Sequence, residues 1–200
     1  MPVAIQSRNF ILFAFIRQVA RFALCPFFRL QASGLESLPE QDAFILLPKH
    51  QRWEDIPIIA LAVSRPLYYM AKYELFRNPV SGWFLSSLGG IPLNREQPLR
   101  SRNSLRRMFR SIKRGEGVVV FPEGTYYKNG MGPGRVGLIR LIASKSTIPF
   151  VPMGICYSRN AGRKHVRIRI GKPLYRDPNL EINAFLSIIM KEITTLSGLL

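Results

Sequence analysis

Acidic side chains are scarce in this sequence: 12 Asp and Glu stand against 29 Lys and Arg, for a formal net charge of +17. That imbalance calls for an anionic partner: nucleic acid, an anionic membrane surface or a phosphorylated substrate. Cysteine is nearly absent. Cys25 and Cys156 form no metal-type cluster and read as free, buried thiols of a reducing compartment rather than as a structural disulfide. No uncharged apolar run reaches the roughly 18 residues of a transmembrane helix. A signal-peptide cleavage pattern is also missing, so the expected address is the cytoplasmic side of a membrane. Internal repeats, low-complexity tracts and linkers are lacking as well.

What is present is apolar. Hydrophobic residues make up 47%, including 13 Phe and 7 Tyr, which favours a membrane surface over free nucleic acid as the anionic partner. Two hundred residues are enough for one domain with a sizeable core.

From Phe10 to Phe28 the chain is rich in Phe, Ile, Leu and Ala. Arg17 and Arg21, four residues apart, share one helical face. Such a helix can lie in the membrane interface, or simply pack on the domain. Residues 1–33 are therefore expected to form an amphipathic membrane-contact segment and residues 34–200 the domain proper. Arg100 to Arg114 carries seven basic residues around a stripe of Leu105, Met108, Phe109 and Ile112, which predicts an amphipathic helix with a basic outer face. No aromatic side chain sits on that face to stack a base, which argues against nucleic acid. Val136–Ala143 and Glu181–Leu196 also read as helices. Ala43–Leu47, Leu67–Met70 and Gly117–Phe121 read as strands, Ile148–Ile155 as an extended apolar segment, and His165–Ile170 as a half-exposed edge strand in which His165 has no catalytic part. Strands alternating with helices make this a single α/β domain, a central mixed sheet flanked by helices.

One stretch gathers the chemistry: Leu47-Pro48-Lys49-His50-Gln51-Arg52-Trp53-Glu54-Asp55. A strand stops at Pro48, a polar turn follows, and Asp55 opens a helix. A turn there can fold the carboxylate back onto the imidazole. The pair suits a base that takes a proton from a hydroxyl while the carboxylate holds its tautomer. The stretch has no Ser or Cys nucleophile, so the base acts on the substrate's own hydroxyl and no covalent intermediate is required.

His50-x4-Asp55 is followed in order by Gly90-Ile91-Pro92-Leu93-Asn94-Arg95, by Phe121-Pro122-Glu123-Gly124-Thr125 and by Ile148-Pro149-Phe150-Val151-Pro152-Met153. This set resembles the glycerolipid acyltransferase family, which includes the 1-acylglycerol-3-phosphate acyltransferases, from about Ala43 to Tyr157. The resemblance implies transfer of a fatty acyl group from acyl-CoA or acyl-carrier protein to a glycerol hydroxyl of lysophosphatidic acid or another lysophospholipid. It implies His50 as general base and Asp55 as its orienting carboxylate, with no cofactor or metal. It implies Arg95, Glu123, Gly124 and Thr125 as acceptor and phosphate ligands, and Pro152 as a shaper of the pocket. Plainer readings stand beside these: Arg95 as a surface charge, Glu123 and Thr125 as turn caps.

The sequence also departs from the family pattern. Asn usually precedes the His and Ser stands two places after it; here those positions are Lys49 and Arg52. The third block usually continues with Arg; here it continues Tyr126-Tyr127-Lys128. The phosphate contact missing at Tyr126 leaves Lys49, Arg52, Lys128 or Arg135 as candidate replacements. It also leaves room for an acceptor with a larger head group, or for a silent lipid-binding protein that keeps the fold.

Overall fold

The computed structural model describes residues 8–94, 101–160 and 163–199, with residues 159 and 160 described by backbone alone. In chain order the elements are α1 (Phe10–Leu24), β1 (Phe28–Ser33), β2 (Phe44–Pro48), α2 (Asp55–Ala62), β3 (Tyr68–Lys72), α3 (Pro79–Ser87), β4 (Gly90–Leu93), α4 (Arg102–Lys113), β5 (Gly117–Val119), α5 (Val136–Ala143), β6 (Phe150–Asn160), β7 (Arg163–Ile170) and α6 (Ile182–Ser197). Short 3-10 turns cover Leu35–Ser37 and Tyr73–Phe76.

The strands form one mixed sheet in the order β1-β7-β6-β2-β5-β3-β4. All neighbouring pairs are parallel except β6 with β7. Central strand β2 is buried along its whole length, as its run Phe-Ile-Leu-Leu-Pro requires of a strand covered on both faces. Its side chains alternate between two cores. Ile45 and Leu47 join Met70, Val120, Met108 of α4, Ile139 of α5 and Ile189 of α6 on one face. Phe44 and Leu46 join Tyr69, Val119 and Ile58 and Ile59 of α2 on the other, with Leu24 of α1 at its margin. Helices α4, α5 and α6 thus cover one face of the sheet, and α1 and α2 the other. Each fully buried Ile or Leu contributes roughly 1.5–3 kcal/mol of transfer free energy before chain entropy is counted.

The topology places a crevice. Strands β2 and β5 are neighbours, but the chain leaves β2 through α2 towards β3 and leaves β5 through α5 towards β6, in opposite directions. Ligands of open α/β sheets bind beyond the carboxyl ends of strands at such a reversal. The His50 turn follows β2 and the Glu123 turn follows β5, so both border that crevice.

Some expectations are corrected. Phe28–Ser33, assigned from sequence to the N-terminal segment, is strand β1, paired in parallel with β7. Pro26 ends the helical run, and Phe28, Leu30 and Ala32 already alternate with polar residues. In consequence β7 is not an edge strand, since β1 covers it. Cys25 is exposed rather than buried. Arg107 does not belong to the basic outer face of α4. It is buried and donates to the carbonyls of Gly90 and Ser86, both at 3.2 Å, which fastens α4 to β4 and α3. Pro152 lies within β6 opposite Leu47, with its ring close to Gly171.

No helix among the described residues is long and apolar enough to cross a membrane. Helix α1 has no buried residue, and Phe10, Ile11, Phe15 and Phe22 are all exposed. It is held to the domain by Leu24 at the margin of the core and by polar contacts: Arg17 donates to the carbonyls of Ser64 and Leu61, and the Asn9 amide to the Ser87 carbonyl.

Candidate active site

Asp55 is the first residue of α2, where an anion is favoured by the helix dipole. Its side chain does not cap α2 but turns back over the preceding loop. Oδ2 accepts from His50 Nδ1 at 3.0 Å and from the amides of Gln51 and Arg52 at 2.6 and 2.8 Å. Oδ1 accepts from the Tyr157 hydroxyl at 2.5 Å. A buried carboxylate that accepts from four donors is pinned in place. His50 in turn presents Nδ1 to the carboxylate, which sets Nε2 as the basic nitrogen. Nε2 has no hydrogen-bond partner among the described residues.

The imidazole is also fixed by its faces. The Phe121 ring stacks on it with centroids 3.7 Å apart, and the Tyr126 ring leans over it at 4.3 Å. Tyr126 occupies the position where the resembling family has an Arg. Here that position supplies an aromatic flank to the base. Burial, with the negative charges of Asp55 and Glu54, raises the pKa of the Tyr126 phenol.

A second cluster supports the His50 loop from below. Glu123 and Lys49 are both wholly buried, and Lys49 Nζ meets the two carboxylate oxygens at 2.7 and 2.9 Å. Glu123 also accepts from the His50 amide at 2.9 Å and the Gly132 amide at 2.7 Å. Lys49 Nζ reaches the Tyr127 carbonyl at 2.8 Å, and the Tyr127 amide reaches the His50 carbonyl at 2.9 Å. The turns after β2 and β5 are thereby joined into one body. A side chain at Gly132 would collide with the Tyr127 ring, so only glycine lets this loop close.

These contacts revise two sequence expectations. Lys49 is not a spare phosphate ligand, because its ammonium is buried on Glu123. Glu123 does not face an acceptor hydroxyl, because both of its oxygens are taken by the protein. Of the other residues named from sequence, Gly124 adopts φ 73°, a left-handed conformation suited to glycine, and lines a cavity. Thr125 and Lys128 are exposed. Arg135 is exposed at the cavity wall. Arg52 is partly exposed and holds its guanidinium over the Tyr157 ring, 5.0 Å from the centroid. Arg95 lies outside the described residues. Asn94, next to it, lines the same cavity. The cavity, about 370 Å³, is walled by Met70, Leu93, Leu105, Val120, Leu138 and Leu141 among others, and Phe121 separates it from the imidazole. Among the described residues no three His, Cys, Asp or Glu come together as a metal site.

Tyr157 was not found from sequence. It stands 102 residues from Asp55 in the chain and is brought there only by the pairing of β6 with β2. Burial, then the charge of Asp55 and the hydrogen bond to it, hold its pKa well above the ordinary value of 10.0. A raised folded-state pKa gives stability that is complete below the unfolded value and is lost as pH rises past it. Denaturant midpoints measured from about pH 9 to about pH 11 should therefore fall with pH, and fall less steeply in Tyr157→Phe.

An open α/β sheet with a buried His–Asp pair at its reversal point and an apolar cavity nearby has the layout of an α/β enzyme's ligand site. Comparison with known proteins gives the family. The Acyltransferase family model matches residues 29–156, and the chain belongs to that family. It is 34% identical over 167 residues to the chloroplastic 1-acyl-sn-glycerol-3-phosphate acyltransferase BAT2 of Brassica napus, covering 78% of this chain and 48% of that one. The chain thus spans about half the length of that relative. It is 30% identical over 146 residues to the 1-acyl-sn-glycerol-3-phosphate acyltransferase of Bacillus subtilis, covering 70% of this chain and 71% of that one. The crystal structure of the 1-acyl-sn-glycerophosphate (LPA) acyltransferase PlsC from Thermotoga maritima superposes with a TM-score of 0.73 at 24% identity, over 93% of this chain and 78% of that one, which establishes the shared fold.

Proposed function

We propose that the protein transfers a fatty acyl group from an acyl thioester, acyl-CoA or acyl-carrier protein, to the free hydroxyl of 1-acylglycerol-3-phosphate, forming phosphatidic acid. The observation that carries this reading is the His50 imidazole, tied at Nδ1 to Asp55 and, among the described residues, without a hydrogen-bond partner at Nε2. Nε2 takes the hydroxyl proton as the oxygen attacks the thioester carbonyl. Asp55 stabilises the imidazolium that forms. Collapse of the tetrahedral intermediate breaks the carbon–sulfur bond, and the imidazolium returns its proton to the departing thiolate. The apolar cavity suits the hydrocarbon chain of the donor. Arg52, Lys128 and Arg135, with Arg95, are the cations for the acceptor's phosphate, and Arg is the better fork for its oxygens. Gly124 and Thr125 border that acceptor site. The names of the relatives, 1-acyl-sn-glycerol-3-phosphate acyltransferases, agree with this acceptor. Tyr126 in place of the family's Arg favours a second reading, in which the acceptor is a lysophospholipid with a larger head group.

The acceptor resides in a bilayer, and the exposed apolar residues of α1 with a net charge of +17 support binding at an anionic, cytoplasmic membrane surface. Phe15→Ser combined with Phe22→Ser is expected to weaken sedimentation with anionic vesicles by about tenfold or more, from the lost burial of two rings. Retained binding in the double variant would place the contact elsewhere.

The function itself is tested by offering a labelled acyl thioester with a panel of lysophospholipids in vesicles. Label in phosphatidic acid alone supports the first acceptor. Label in another phospholipid supports the second. Label in neither overturns the acyltransferase reading in favour of a silent lipid-binding protein.

A further inference from the structure

Helix α4 carries Arg102, Arg106, Arg110 and Lys113 on successive turns, all four exposed. At helical rise the stripe is roughly 16 Å long. The helix contains no acid, and among the described residues none of the four is ion-paired. Like charges on adjacent turns work against a helix, so a bound anionic partner would stabilise this one. Four charges over that length exceed what one phosphate group engages. They match a partner whose acidic groups are also spread along a surface.

The sheet decides which partner. Helix α4 packs with Ile45, Leu47, Met70 and Val120, whereas α2 and the end of α1 pack with Phe44, Leu46, Tyr69 and Val119. Successive strand residues point to opposite faces, so α4 and α1 lie on opposite sides of the sheet. With the apolar face of α1 on a bilayer, the whole sheet stands between that bilayer and the basic stripe. The stripe then faces the aqueous phase. The apolar cavity lies on the α4 side, where Leu105 of the same helix forms part of its wall.

We propose that the exposed basic face of α4 docks an acidic protein that carries the fatty acyl group as a thioester, an acyl-carrier protein. The donor then approaches from the side away from the membrane, where Leu105 of α4 borders the cavity. This inference rests on the acyltransferase reading.

The test compares one acyl group presented on acyl-carrier protein and on CoA, for the unaltered full chain, for Arg106→Glu with Arg110→Glu, and for a charge-matched control, Lys164→Glu with Arg167→Glu, on β7. Binding of labelled acyl-carrier protein is followed in parallel by fluorescence anisotropy, and vesicle binding by sedimentation. The α4 variant is expected to lose at least about tenfold in kcat/KM with the carrier-protein donor relative to the CoA donor, with a matching loss of anisotropy-measured affinity, as removal of complementary charge requires. The control keeps the ratio. An unchanged ratio overturns the proposal, as does an equal shift in both variants. Loss of vesicle binding by the α4 variant with the ratio intact assigns the stripe to lipid instead. If the unaltered protein uses neither donor, the acyltransferase reading fails. The anisotropy then stands alone: binding lost in the α4 variant supports the docking face, and no binding overturns it.

Discussion

His50→Ala is expected to lower kcat for acyl transfer by about 10²–10⁴-fold while leaving the fold intact. The size follows from the role of the ring. Without Nε2 the acceptor hydroxyl keeps its proton, and a neutral alcohol is a weak nucleophile towards a thioester. The fold is expected to survive because the backbone of the His50 turn and its partner Asp55 are held by other contacts. Asp55 keeps the amides of Gln51 and Arg52 and the Tyr157 hydroxyl. Initial rates and a thermal melt on the same preparation check both halves. A rate within about threefold of the unaltered protein would remove His50 from the chemistry, since general-base catalysis accounts for far more than that.

Glu123→Gln is the substitution expected to cost most in stability. It leaves the Lys49 ammonium wholly buried with no opposing charge. Breaking a buried pair from one side costs about 3–5 kcal/mol. For a chain of this size each kcal/mol moves Tm by about 2–4 °C, so a fall of roughly 6–20 °C is expected. Replacing both partners, Lys49→Met with Glu123→Leu, is expected to recover much of that loss, because two apolar side chains need no desolvated charge to be answered. Activity is not expected to recover with it. The amides of His50 and Gly132 lose their acceptor in the double variant, so the turn that aims the imidazole is no longer fixed. Thermal melts and acyl-transfer rates of the single and double variants separate these contributions. Full activity in the double variant would show that Glu123 serves stability alone.

The same residue shows how a motif and a structure divide the work. From sequence, Glu123 stood in a Phe-Pro-Glu-Gly-Thr block and was expected at the acceptor. In the structure it joins the β2 turn to the β5 turn, and Lys49, an unusual residue at its position, is its partner. The departure at Lys49 is answered inside the protein, so the search for a replacement phosphate ligand narrows to Arg52, Lys128 and Arg135. The departure at Tyr126 takes a different form: an aromatic ring against the base.

Local pattern alone determined a good deal. The stripe of α4 followed from three- and four-residue spacing, because a helix buries one side of itself wherever it packs. The buried strands β2, β5 and β6 followed from their apolar runs, and His50 with Asp55 from a strand-to-helix turn only five residues long. Strand β1 was legible after Pro26 but was hidden by the apolar run before it. The order of the strands, the crevice between β2 and β5, the Lys49–Glu123 pair across 74 residues and the Tyr157–Asp55 bond across 102 were decided by the tertiary structure. Periodicity reports which side of an element is buried, not what is buried against it. Those partners exist only once the sheet has brought distant segments side by side.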